Sequence, residues 1–242
     1  MRVALFTAIY GEYDNFQLPT KQNYPVDFFY FSEHEIQKYD LQTRQLVDIY
    51  NPIDLWSIKR YLIKPNDNNL NKMNSILLRT DHHNNPYLKD YDLVIYIDGN
   101  MVIDRANFIE QYFVKVLENN PDLDIILTKH PDRNCIYQER RASTMPKYSN
   151  TDFDRMLKFY QEIKPNSGLY WNGLMGYNNK KDLSKFNELY AYELFKYAKN
   201  PDLPYHPQGQ ITLPYCFKKC EIKVYAHRPV YNTVVKSRWH CK

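Results

Sequence analysis

The chain has 242 residues, enough for one α/β domain with a buried core or for two small domains. Its 43% hydrophobic and 25% charged residues describe a folded globular protein and exclude a disordered one. The net charge of +4, with no long run of Lys or Arg, argues against a nucleic-acid binder; it leaves room for anionic nucleotides or for peripheral contact with lipid head groups.

Residues 2–9 (RVALFTAI) are an apolar run of strand formers and predict a first, central strand ending at Tyr10-Gly11. Residues 27–32 (DFFYFS) predict a second, and residues 47–50 a short third. Asp54 is a fitting N-cap for a helix to Ile63, stopped by Pro65. In residues 68–79, Leu70, Met73, Ile76 and Leu77 fall on one face at helical spacing. The near-continuous apolar run 91–97 (YDLVIYI) suits a parallel strand covered on both faces. A helix over 106–118 stopped by Pro121, a buried strand over 123–128 (LDIILT) and an amphipathic helix over 152–163 follow. Residues 168–177 read as a strand, 185–199 as a helix and 221–226 as a last strand.

Strands alternate with helices through residue 130, which predicts a doubly wound, mostly parallel α/β sheet with helices on both faces. With no Gly/Ser-rich linker and no repeat, a single domain over 1–242 is expected: a nucleotide-binding half (1–130) and an acceptor-side half (131–242). No stretch reaches the ~18 uninterrupted apolar residues of a membrane span. The N-terminal run lacks the small-residue cleavage site of a signal peptide. Cys135, Cys216, Cys220 and Cys241 are too scattered for a disulfide scaffold, so a soluble, cytoplasmic protein is the expectation. Cys216 and Cys220 with His227 and His240 have spacing that zinc tolerates, but no second close pair supports such a site.

Asp98-Gly99-Asn100 follows the buried strand directly. In an open α/β sheet, ligands bind at the carboxyl ends of strands. A carboxylate there holds a divalent ion, which in turn neutralises a diphosphate leaving group. The same triplet between LVIYI and MVI also fits a plain hairpin turn. Upstream, Lys72, Arg79, His82 and His83 lead into the strand, where Lys72 and Arg79 could reach donor phosphates.

Three stretches carry a family resemblance: ALFTAIYGEYDN (4–15), YDLVIYIDGNMVI (91–103) and, most specific, TKHPDRNCIYQE (128–139), with its His-x-x-Arg-x-x-x-Tyr-x-Glu spacing. With weaker returns at GLYWNG and QGQITLPY, the chain resembles the glycosyltransferase-like family that includes plant mucilage-associated proteins and bacterial and viral members. The resemblance implies a GT-A (single Rossmann-like) fold, a nucleotide-sugar donor and a carbohydrate acceptor. It implies that Thr7, Ala8 and Tyr10 sit by the base, and that Glu33 sits by base or ribose. Asp98 and Asn100 would flank Mn2+ or Mg2+, with His227 as a further metal ligand, while His130, Arg133 and Glu139 would line the reaction centre and Gln210 would lie near the acceptor. Where the family pattern reads roughly Arg-Asp-Gln, this chain has Gln208-Gly209-Gln210. A general base is then missing at 209: either Glu139 or Asp202 substitutes, or the transfer is retaining, or the enzyme is weak. A metal-dependent glycosyltransferase using a UDP-sugar is the leading reading. A sugar-nucleotide nucleotidyltransferase and a silent nucleotide- or sugar-binding module are the alternatives, because fold alone does not separate them.

Overall fold

The computed structural model describes residues 1–11, 14–52, 68–163, 168–199, 207–228 and 235–237, with backbone alone at 68–73 and 235–237. The helix expected over 54–63, the Lys72 side chain, Asp202, His240 and Cys241 lie outside that description.

The first strand, β1 (Val3–Ala8), is buried along its whole length, as the unbroken apolar run requires. It pairs in parallel with β2 (Asp27–Phe31) on one side and β5 (Leu93–Ile97) on the other. A hairpin of β3 (Ile36–Asp40) and β4 (Gln45–Tyr50) extends the β2 side. On the β5 side come β8 (Tyr170–Asn178), β7 (Ile125–Lys129) and β9 (Val224–His227). The eight-stranded order is β4-β3-β2-β1-β5-β8-β7-β9, in which β3 and β8 run against the rest. Sequence from both halves of the chain therefore enters one sheet, with β8 inserted between β5 and β7.

Alternate residues of each central strand face opposite layers. Phe6, Val94, Tyr96 and Met175 pack towards α1 (Asn68–Thr80), α3 (Ile136–Ala142), α4 (Phe153–Phe159), α5 (Ser184–Phe195) and α6 (Gly209–Lys219). Leu5, Leu93, Ile95 and Leu174 pack towards a π-helical turn (Glu110–Val114) that continues into α2 (Lys115–Asn119). The sheet is thus covered on both faces, the α/β architecture expected. Two short strands, β6 (Met101–Ile103) and β10 (Val235–Ser237), form a separate antiparallel pair. At the far edge, β4 exposes Leu46, Val47 and Ile49 to solvent.

Candidate active site

The chain leaves β1 for β2 on one side and returns to β5 on the other. This reversal opens a crevice at the carboxyl ends of β1 and β5, where an open α/β sheet binds ligands. A cleft of about 260 Å3 lies there. Ala8, Ile9, Tyr10 and Asp14 line it from the β1 side, Asp98, Gly99 and Asn100 from the end of β5. Ser75, Ile76 and Arg79 of α1 form another wall, and Asn172 of β8, Lys147, Tyr148 and residues 207–210 complete it.

The Asp98 triplet is a tight turn, with the Met101 N–H donating to the Asp98 carbonyl at 3.0 Å. It is not a hairpin. The strand that follows, β6, pairs with β10, while β5 takes β1 and β8 as its neighbours. The Tyr96 hydroxyl donates to Asp98 Oδ1 at 2.6 Å, and the Asp98 N–H is held by the Gly173 carbonyl at 2.8 Å. Gly173 keeps room for the carboxylate, because a Cβ there would stand 2.7 Å from Asp98 Oδ2. Asn100 Oδ1 is buried without a hydrogen-bond partner among the described residues.

Arg79 is only 6% exposed. Its Nη1 donates to the Asn172 carbonyl and its Nη2 to the Tyr190 hydroxyl, both at a long 3.3 Å. The guanidinium stacks 5.2 Å from the Tyr96 ring centre, a cation–π arrangement. Burial works against its charge, but the oxygens of Tyr190, Tyr96 and Tyr177, with Asp98, hold it above its ordinary value. Among the described residues no carboxylate comes within ion-pair distance of it. A buried cation whose hydrogen-bond partners are all neutral still favours an anionic occupant of the cleft.

Of the residues singled out in the sequence, Ala8, Tyr10, Arg79, Asp98, Asn100 and Gln210 meet in this cleft. Others stand apart from it. Thr7 is buried within β1, and Glu33 braces the β1 loop by accepting from the Gly11 N–H at 3.0 Å. Burial and the nearby Glu33 push the Tyr10 phenol up. His227 sits on β9, three strands from β5, or about 14 Å by ordinary strand spacing. Its Nε2–H donates to the Tyr112 carbonyl at 2.8 Å, and it is not among the residues that line the cleft. Among the described residues no three His, Cys, Asp or Glu side chains gather into a metal cluster, and the Cys216 thiol is buried in α6.

His130, Arg133 and Glu139 do converge, by the loop after β7 folding back. The N–H groups of Asp132 and Arg133 donate to His130 Nδ1 at 3.1 Å, and Arg133 Nε donates to Glu139 Oε2. Burial first, then Arg133, lowers the His130 pKa to about 4. None of the three lines the cleft; they stand behind its wall and reach it through Gln208, whose Nε2 donates to Glu139 Oε1 at 2.9 Å. Asp14, Asn172, Lys147, Tyr148 and Gln208 also line the cleft, and none of them was assigned a role from the sequence. Asp14, Asn172 and Gln208 lay within stretches already noted, the Gly-Glu-Tyr-Asp turn, GLYWNG and QGQITLPY, but were given no role there.

An open α/β sheet with an acidic turn at its crevice is the GT-A type of fold. The family model for the TOD1/MUCI70 glycosyltransferase-like domain matches residues 1–188, and the chain belongs to that family. Its function is accordingly of the glycosyltransferase type, with a sugar donor and an acceptor. No curated protein matches the chain. Gln208, Gly209, Gln210 and His227 lie beyond the matched stretch. No helix among the described residues is long and apolar enough to cross a membrane.

Proposed function

We propose that this chain transfers a sugar from a UDP-sugar to a hydroxyl of a glycan, glycolipid or glycoprotein acceptor, with Mn2+ or Mg2+ held by Asp98 and Asn100. The observation that carries the reading is the meeting of Arg79, Asp98 and Asn100 in one crevice at the strand ends. The donor set fits the ion. Asp98 supplies a carboxylate, and the unpartnered Asn100 Oδ1 supplies a neutral oxygen. Mg2+ characteristically takes one or two carboxylates and leaves its other positions to water and substrate phosphates. When bound, such an ion neutralises a diphosphate and improves it as a leaving group.

The chain's own side chains do the rest. Tyr96 fixes the Asp98 carboxylate, and Arg79 faces the phosphates as a planar fork of donors. Ala8 and Tyr10 hold the base end, and Gln210 the acceptor end. The acceptor oxygen bonds to the anomeric carbon as the bond from that carbon to the phosphate oxygen breaks. The electron pair departs on the nucleoside diphosphate. The acceptor proton goes to a base or, in a retaining transfer, to the departing phosphate; the anomeric configuration of the product distinguishes the two. Glu139, a substitute base in the sequence reading, turns its oxygens to Arg133 and Gln208 behind the wall.

UDP with Mn2+ at about 100 times its dissociation constant should stabilise the protein by about 2.7 kcal/mol, visible in a thermal melt. Asp98→Ala should abolish that gain, measured against the variant's own ligand-free melt, which falls somewhat because the Tyr96 hydroxyl loses its acceptor. If no nucleoside diphosphate with metal shifts the melt of the unaltered protein, the reading is wrong. Donor hydrolysis with and without Mn2+ separates a working transferase from a silent binding module.

A further inference from the structure

Gln208 caps the entry to α6 and is 5% exposed, yet it forms part of the cleft wall. Its Nε2 donates to Glu139 Oε1 at 2.9 Å and to Ser143 Oγ at 3.0 Å. Chemistry fixes which end of the amide is which. A carboxylate paired with an arginine only accepts, so the nitrogen must face Glu139. Ser143 Oγ has spent its own proton on the Glu139 carbonyl at 2.8 Å and is left to accept the second amide hydrogen. Both hydrogens of Gln208 are therefore consumed inside the protein. Oε1 remains, with no partner among the described residues, and it is not one of the sealed, unsatisfied atoms.

We propose that Gln208 Oε1 is a fixed hydrogen-bond acceptor for one hydroxyl of the bound sugar, and that the His130–Arg133–Glu139 cluster acts through it. Gln208 is then a specificity-determining residue, and Glu139 and Arg133 are positioning residues. The consequence is selective. An amide whose hydrogens are both engaged offers nothing to a phosphate or carboxylate oxygen, which needs a donor. It rewards a group with a hydrogen to give, and rejects an analogue that lacks it by leaving the buried oxygen unmet. The inference rests on the transferase reading above. The hydroxyl belongs to either the donor sugar or the acceptor sugar, and two arms of one experiment tell these apart.

The first arm measures binding of UDP-glucose, UDP-galactose and their monodeoxy analogues by calorimetry, with UDP as reference. The second measures methyl glucosides and galactosides, with their monodeoxy counterparts, on the UDP-loaded protein. In the unaltered protein, loss of one particular hydroxyl should weaken binding about tenfold or more, in one arm only. Gln208→Met, similar in length but without the acceptor, should erase that difference and leave UDP affinity unchanged. Glu139→Gln keeps the shape but no longer dictates the amide's orientation. It should reduce the same difference while the melt stays close to that of the unaltered protein, and it serves if Gln208→Met folds poorly. Full discrimination in both folded variants overturns the inference and leaves the transferase reading standing, as does an unaltered protein that binds UDP but distinguishes no hydroxyl. A protein that binds neither UDP nor any of the sugars overturns both.

Discussion

His82 closes the C-terminal end of α1 with no solvent exposure, its ring 4.0 Å from that of Tyr177 and its Nδ1 3.2 Å from the Arg79 carbonyl. That contact requires the proton on Nδ1 and leaves Nε2 bare and without a partner. Burial drives its pKa from 6.5 to about 3, and His130 falls to about 4. His227 is lowered too, by burial against the opposing hydrogen bond to Tyr112. In each case the unfolded chain binds the proton at a higher pH than the folded one. The stability gained by keeping these rings neutral is complete above about 6.5 and is lost as the pH falls towards 4. Urea unfolding should therefore show a falling free energy between pH 7 and pH 4.5, by about a few kcal/mol in all. Replacing His82 with Phe, which stacks on Tyr177 without titrating, should flatten part of that slope. An equal slope in the variant would show that His82 does not contribute to it.

The first turn of α6 is set tightly against β8 and α5. A Cβ on Gly209 would strike the Asn172 side-chain amide and come within 2.7 Å of the Tyr190 hydroxyl, the group that holds Arg79 Nη2. The missing carboxylate is thus not a vacancy waiting for one. Gly209→Asp should lower both the melting temperature and UDP affinity by displacing Asn172 and Tyr190; a rise in donor turnover would show that the glycine had simply removed a base. This explains what the sequence could and could not disclose. The strands β1, β2, β5 and β7 were legible because burial on both faces demands continuous apolar runs. β3 was not, since in IQKYD only Ile36 is buried. The seven-residue α3 falls between the strand over 123–128 and the helix over 152–163, where no element was expected, and the β6–β10 pair joins stretches far apart in the chain. Arg79 and Asp98 could be found from their place beside a buried strand. Gln208 could not, because its meaning depends on Glu139, 69 residues away.

At the scale of the whole molecule, the cleft gathers side chains from β1, β5, β8, α1 and the entry to α6, so the site forms only when both halves of the chain have joined one sheet. The opposite, outermost flank has a different fate. Among the described residues β4 ends the sheet, with Leu46, Val47 and Ile49 exposed and only Asp48 between them. Such a margin is a template on which a second copy can lay its own strand. Crowding, not chemistry, would then limit how this protein is stored: clumping should begin there in concentrated solution. Val47→Lys, a charge of the kind natural sheets place on their margins, should raise the concentration at which light scattering first increases while leaving UDP binding intact. Unchanged scattering would place the sticky surface elsewhere on the molecule.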